Sequence, residues 1–431
     1  MDDNQDFSRF DDCIQVLQPD RIVSHSNTEE GIYFRDRQGL GLKLIVLDSD
    51  IWHLCFLPPF ATAPSVDYVR AASFSPSEIE PIETASSWQI RTSSATLRIH
   101  RQGMRISLET PEGKSLLEDK RAFQQTASQQ QGIQQVRTVK RLMKGAQCWG
   151  MGDKSGTLLL NGQQYQQWNT DAFGFGDQSD PLYRSIPFFF AWDGENAIGF
   201  LLDNTHRSYF HFGESLSVSM EGGQLAYYLF TADNPEAIVR RYTQLTGLPP
   251  LPPLWALGFH QCRWSYYPES RVRQLARTFR ELSIPCDAIY LDIDYMDGYR
   301  CFTWNRDYFP DPASLIEELK EQGFHTVVMI DPGIKAEHGY AVFEEGLKRG
   351  HFCKRADGQL FTGPVWPGPC AFPDYTRAEV REWWGKLYDE LYVDQGVSGF
   401  WNDMNEPAVF RVNSLTFPED VQHYYEGQGA T

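Results

Sequence analysis

The hydrophobic pattern of this chain changes period at one place, and a proline run marks it. Leu248-Pro249-Pro250-Leu251-Pro252-Pro253 can continue neither a helix nor a central strand, because each proline lacks an N–H and has a fixed φ. Before it, short alternating runs such as Gly41–Leu47, Trp88–Thr92 and Ala95–Ile99 present one apolar face at period two. That pattern predicts an antiparallel β-sandwich. The Gln-heavy stretch from Phe123 to Val136 offers little apolar surface and reads as an exposed connection. Just ahead of the prolines, Asn234 and Pro235 open a helix with an Ile238, Val239 and Tyr242 stripe, and Gly247 closes it. The expected domains are therefore a sandwich over 1–247 and a second domain over 248–431.

Beyond the prolines, strands and helices alternate. Leu254–His260 reads as a buried strand, followed by helical spacing at Val272, Leu275, Ala276, Phe279 and Leu282. A second strand spans Ala288–Asp292. The next helix is capped by Asp311, opened by Pro312 and ended by Gly323, and a third strand spans Thr326–Ile330. Thr376-Arg377-Ala378-Glu379 reads as a capping box for a helix with Val380, Trp383, Trp384, Leu387 and Leu391, and Gly399–Asn402 as a fourth strand. Such repeats permit a doubly wound sheet or a (β/α)8 barrel. Polar and aromatic residues at the C-terminal ends of the strands (His260, Arg263 and Trp264; Asp292 and Asp294; Asp331; Asp403 and Glu406) favour the barrel. Residues 404–431 are too few for another βαβ unit of roughly 30 residues, so strands one to four of an incomplete TIM barrel are expected.

Charge narrows the partners. With 39 basic and 57 acidic residues the net charge is −18, which argues against nucleic acid and anionic membranes. No apolar run reaches the roughly 18 residues of a membrane helix, and the first residues are acidic, so a cytoplasmic protein is expected. The eight cysteines contain no CxxC or CxxH pair and read as mostly buried reduced thiols.

Two acidic segments carry the chemistry. Asp403 lies just past an apolar strand, close to Trp401 and three residues before Glu406, where its charge is costly unless hydrogen-bonded. A loop-tethering Asp would also suit that position. Asp292 and Asp294 stand two apart on an extended segment and share a face. Acids near aromatic rings suit sugar hydroxyls and the apolar sugar face, whereas Asp-x-Asp equally offers hard oxygen ligands to a divalent metal.

Several motifs occur together and in order: Gly258–Tyr266, Asp292–Asp297, Val365-Trp366-Pro367-Gly368 with Ala371-Phe372-Pro373-Asp374, and Trp401-Asn402-Asp403-Met404-Asn405-Glu406-Pro407. With Trp149–Lys154, Trp168–Asp171, Pro181–Phe188 and Leu202–Asn204 upstream, the sequence from about residue 145 onward resembles the α-glucosidases of glycoside hydrolase family 31. The resemblance implies retaining hydrolysis of terminal α-glucosidic bonds in oligosaccharides, with Asp403 as the nucleophile and Glu406 in support. It implies Asp292 as a ligand of sugar hydroxyls and Ile293, Ile334, Trp366, Trp401 and Met404 as the apolar lining of the sugar pocket. Asp171, on a sandwich loop, and Trp264 complete the substrate-binding set, with no metal and no cofactor.

The family's general acid/base is another Asp well C-terminal to the nucleophile, and Thr431 comes before it. The chain is thus expected to be a fragment or truncated product, inactive alone. Other functions compatible with the same pocket are an α-glucosyltransferase, in which a sugar hydroxyl takes the covalent intermediate, and a non-catalytic carbohydrate-binding protein.

Overall fold

The computed structural model describes residues 13–29, 31–59, 69, 74, 79–128, 134–410, 412, 414 and 416–424. The chain divides into two compact units, Met1–Pro249 and Pro250–Thr431, each taken by itself below.

The first unit is sandwich-like. A ten-stranded and an eight-stranded antiparallel sheet contribute to one core, with Leu97, Ile99 and Leu108 from the first sheet and Phe34, Leu54, Phe200 and Tyr227 from the second. Burying each such side chain stabilises the fold by about 1.5–3 kcal/mol. The stretch Phe123–Val136 is not an exposed connection: it belongs largely to the paired strands Ser115–Ser128 and Gln134–Leu142, with 129–133 outside the described residues. Phe123 and Val136 are buried, and Phe123 stacks on Phe56 with ring centroids 5.5 Å apart. The alternation is hidden in the sequence because polar Thr138 and Lys140 occupy inward positions.

Lys140 can be buried there because its cross-strand partner is Asp119. Its Nζ donates to Asp119 Oδ1 at 2.6 Å and to the Tyr227 hydroxyl at 3.1 Å, while Asp119 Oδ2 accepts the Ile106 N–H at 2.9 Å. Both side chains are fully buried. A helix, Pro235–Thr246, closes the unit with Asn234 accepting the Ala237 N–H. Its buried positions are Ile238 and Leu245, whereas Val239 is exposed.

The second unit holds four parallel strands that are neighbours in chain order: His260–Gln261, Ala288–Leu291, His325–Ile330 and Gly399–Asn402. Helices Glu269–Glu281 and Pro312–Glu321 fill the first two crossovers and share a core with the strands through Val272, Ala276, Leu315 and Leu319. Arg273 ties the helices together, bonding Glu269 and Glu318 at 2.6 Å each. The third crossover carries helix Ala341–Arg349, a small sheet of Ile334–Lys335, Thr362–Val365 and Gly368–Ala371, and helix Ala378–Tyr388.

Two local expectations fail here. Leu254–His260 is not a buried strand: Leu254–Leu257 form a 3₁₀ turn after Pro253, with Leu254 86% and Leu257 70% exposed, and pairing begins at His260. An apolar run lacking alternation does not by itself specify burial in a sheet. Nor is there a capping box at Thr376–Glu379: Thr376 Oγ1 donates to Asp374 at 2.5 Å and Glu379 accepts from Arg377, so neither side chain caps the helix. The side chain of Leu391 lies outside the described residues. Of the seven cysteines whose side chains are described, all free, only Cys262 is exposed.

The buried pair makes a test of the first unit. Lys140→Met should destabilise the protein by about 3–5 kcal/mol by leaving Asp119 buried and unpaired, and adding Asp119→Leu should recover most of the loss in urea unfolding.

Candidate active site

The parallel register sets the geometry. Val328 pairs with Phe400 and Ile330 with Asn402, so the residues that follow, Asp331 and Asp403, leave their strands at the same level. The Asp403 N–H still donates to the Ile330 carbonyl at 3.1 Å. The chain then turns sharply through Met404, at φ 60° in the left-handed region, with Asn405 Nδ2 donating to the Asp403 carbonyl at 2.7 Å. A β-type continuation would carry the chain away; the turn keeps Asp403 and Glu406 together at the strand end.

Asp292 follows the second strand. Its Oδ1 accepts the Ile293 N–H at 2.7 Å, capping a 3₁₀ turn over Ile293–Tyr295. Burial raises its pKa above the ordinary carboxylate value, opposed by the Ile293 bond and reinforced by the charges of Asp403 and Asp294. Asp294 faces a wetter rim, accepting from Trp264 Nε1 at 3.1 Å and the Tyr299 hydroxyl at 3.2 Å.

Asp331 ends the third strand, and the sequence marks it as a strand-end acid without giving it a role. It is 4% exposed, and its Oδ1 meets no donor among the described residues. Burial, then the negative charges of Asp403, Asp292 and Glu406, push its pKa up to about 8. That shift favours the protonated form of Asp331 near neutral pH. The signal for it was in the sequence: an acid directly after an apolar strand, the same pattern that marks Asp403.

Aromatic side chains border these acids. Trp264 is 64% exposed, and its ring centroid lies 5.6 Å from that of Trp366, which occupies the tip of the hairpin Thr362–Val365/Gly368–Ala371 and packs edge-on against Phe410. Trp401 is half-buried, edge-on to Tyr290, whose hydroxyl is 3.1 Å from His260 Nδ1. Met404 is half-buried beside the cluster of Cys353, Phe361 and Val365. Ile293 and Ile334 are buried, Ile334 completely, as members of the core. Asp171 stands in the first unit, half-buried in the loop between strands Gln164–Gln167 and Ser185–Trp192, with its pKa raised by burial. The site described here is made by the second unit alone.

Among the described residues, one group of three His, Cys or acidic side chains lies close enough together to hold a metal: Cys353, Asp374 and His423. Asp374 is already committed there. Its Oδ1 accepts from Thr376 and its Oδ2 from the Tyr424 N–H at 2.9 Å, with His423 Nδ1 3.4 Å from Oδ1. Burial raises the Asp374 pKa, but the bonds from His423, Thr376 and Tyr424 outweigh it and hold the carboxyl below its ordinary value. This group clasps the segment 421–424 to the crossover.

Chemically, the strand ends offer half-buried Asp403 beside buried Asp331, whose pKa is raised, with indole rings at the rim. The description "Glycosyl hydrolases family 31 TIM-barrel domain" matches residues 249–430, and "Glycosyl hydrolase 31 N-terminal galactose mutarotase-like domain" matches 42–211. The chain belongs to glycosyl hydrolase family 31. It is 36% identical over 411 residues to alpha-glucosidase 2 of Bacillus thermoamyloliquefaciens, an alignment covering 94% of this chain and 51% of that protein. An alpha-glucosidase of Saccharolobus solfataricus is 34% identical over 302 residues, 65% of this chain and 43% of the relative. In structure, a Flavobacterium johnsoniae family 31 dextranase complexed with glucose superposes with a TM-score of 0.85 at 28% identity, covering 95% of this chain and 50% of the dextranase. The family 31 chain thus spans about half the length of these relatives.

The Asp331 environment predicts a pH-dependent cost. Its folded pKa lies above the ordinary 3.8, so the unfolded chain loses that proton first, and stability falls as pH rises from 3.8 to about 8. Asp331→Asn should remove that penalty, gaining up to about 1.4 kcal/mol per pH unit across the interval. Thermal unfolding of both proteins at the two ends of the range checks it; a gap that does not widen with pH counts against a neutral Asp331.

Proposed function

We propose that this chain is the nucleophile-bearing part of a retaining α-glucosidase acting on terminal α-linked glucose of oligosaccharides. The observation that carries the reading is the placement of Asp403: it leaves the fourth parallel strand on a tight turn, level with Asp331 and within electrostatic reach of it. The similarity to alpha-glucosidases supports the substrate class. In this reading Asp403 attacks the anomeric carbon to form a glucosyl ester as the leaving oxygen is protonated, and water later releases the sugar. Asp292 holds sugar hydroxyls, with Glu406 supporting, and Trp264, Trp366, Trp401 and Met404 give the sugar an apolar wall around the core of Ile293 and Ile334.

The four parallel strands form the first half of a (β/α)8 barrel in the same reading. Support comes from their order, from relatives about twice as long, and from the exposed apolar turn at Leu254–Leu257 beside the first strand. The acid/base belongs to the other half, roughly 5–5.5 Å from Asp403 as retention requires. Transfer to a sugar hydroxyl would use the same intermediate and differ only at the acceptor.

Two experiments test this reading. A 5-fluoro-α-glucosyl fluoride carries a leaving group that departs without protonation, so labelling depends on the nucleophile. The label should appear on the peptide holding Asp403, and Asp403→Asn should abolish it and cost an enzyme containing this chain several orders of magnitude in turnover. Labelling of another carboxylate would refute the assignment. Asp292→Asn should weaken glucose binding by the about 1.5–3 kcal/mol of a charge-assisted hydrogen bond, and EDTA should leave activity unaffected. EDTA inhibition reversed by a divalent ion would instead make the Asp292 segment a metal site.

A further inference from the structure

Asp331 is buried at the end of the third strand, and no N–H or O–H among the described residues reaches its Oδ1. The charged groups acting on it are all negative: Asp292 from the second strand, and Asp403 and Glu406 from the turn after the fourth. Two thiols also face it: Cys301, whose Sγ donates to the Asp331 carbonyl at 3.3 Å, and Cys370, whose own charge Lys335 favours and Asp331 opposes. A buried carboxyl oxygen with no donor among the described residues, facing carboxylates, favours the protonated form, and a buried O–H must find an acceptor. The parallel register brings Asp331 level with Asp403 on the neighbouring strand.

We propose that Asp331 is a positioning residue: a neutral carboxylic acid that donates a hydrogen bond to the carboxylate of Asp403 and fixes its orientation for attack. The proposal rests on Asp403 being the nucleophile. The bond holds one carboxylate oxygen and turns the carboxylate toward the anomeric carbon. No proton leaves Asp331 during the reaction; as the ester forms, the same O–H remains bonded to the carbonyl oxygen of the ester. Ionisation of Asp331 replaces that bond with repulsion, so nucleophilic competence should be lost as pH rises through about 8.

The test follows two readouts on the 431-residue chain. Infrared difference spectra should show the carbonyl stretch of a protonated carboxyl at neutral pH, disappearing in Asp331→Asn. Inactivation by 5-fluoro-α-glucosyl fluoride should slow in the wild type as pH rises through the same range. Asn keeps an N–H donor but cannot ionise, so Asp331→Asn should flatten that limb. Asp331→Ala has no donor, and should lower the inactivation rate constant by about 10- to 100-fold at every pH, with little change in the concentration giving half-maximal rate. Absence of an Asp331-dependent carboxyl band, or an alkaline limb that persists in Asp331→Asn, overturns the proposal. An Asp331→Ala effect confined to the half-maximal concentration would make Asp331 a sugar ligand instead. Label on a carboxylate other than Asp403, with the band still lost in Asp331→Asn, would overturn the nucleophile reading and this role with it while leaving the neutral acid standing.

Discussion

Carboxyl groups brought to one end of a parallel sheet repel one another, and that repulsion organises the second unit. The parallel register delivers Asp331 and Asp403 to a common level, and Asp292, which follows the second strand level with Met329, joins them through its charge. The fold settles the conflict by unequal environments. Asp292 has a backbone N–H, Asp294 has an indole and a phenol, and Asp331 has no donor at Oδ1 among the described residues and has its pKa pushed up. Divergent environments for neighbouring acids are how one site holds an ionised group beside a protonated one at neutral pH. The arrangement costs folding energy at neutral pH, a common pattern where a site is preorganised for chemistry.

The elements around this cluster were legible wherever local chemistry and periodicity agreed. Asn234-Pro235 and Asp311-Pro312 each start a helix, because the capping oxygen and the proline at the first position specify the same boundary. The strands at Ala288 and Thr326 were clear because branched and apolar residues fill them. Elsewhere the sequence misled for physical reasons. Inward Thr138 and Lys140 erase the alternation of a core strand, since their partners come from distant residues such as Asp119 and Tyr227. Thr376 carries the pattern of a capping residue, but Asp374 takes its hydroxyl instead.

The site shows the same division. Strand-end acids could be found from position, and the aromatic residues through resemblance, but the sequence could not rank them. Asp331 and Asp403 follow apolar strands in the same way, and burial separates them: Asp331 is buried and Asp403 half-buried. Trp366 reaches the rim because a two-residue turn projects it from a small sheet within the third crossover, a pairing of residues 362–371 that periodicity does not announce.

Met404 connects the backbone to this electrostatic arrangement. A non-glycine residue at φ 60° costs on the order of 1 kcal/mol, so the tight turn persists only because other contacts fix it. Asn405 holds the Asp403 carbonyl, the Ala408 N–H closes on the Met404 carbonyl at 3.1 Å, and the Phe410 N–H anchors to Pro364 at 2.9 Å. The last bond runs to the hairpin that carries Trp366, so the turn setting the level of Asp403 and the hairpin presenting the exposed indole share an anchor. A relaxed, extended residue at 404 would separate Asp403 from Glu406 and weaken the electrostatic pressure that keeps Asp331 protonated. Strain in one peptide unit thereby helps to set the charge state of an acid on the neighbouring strand.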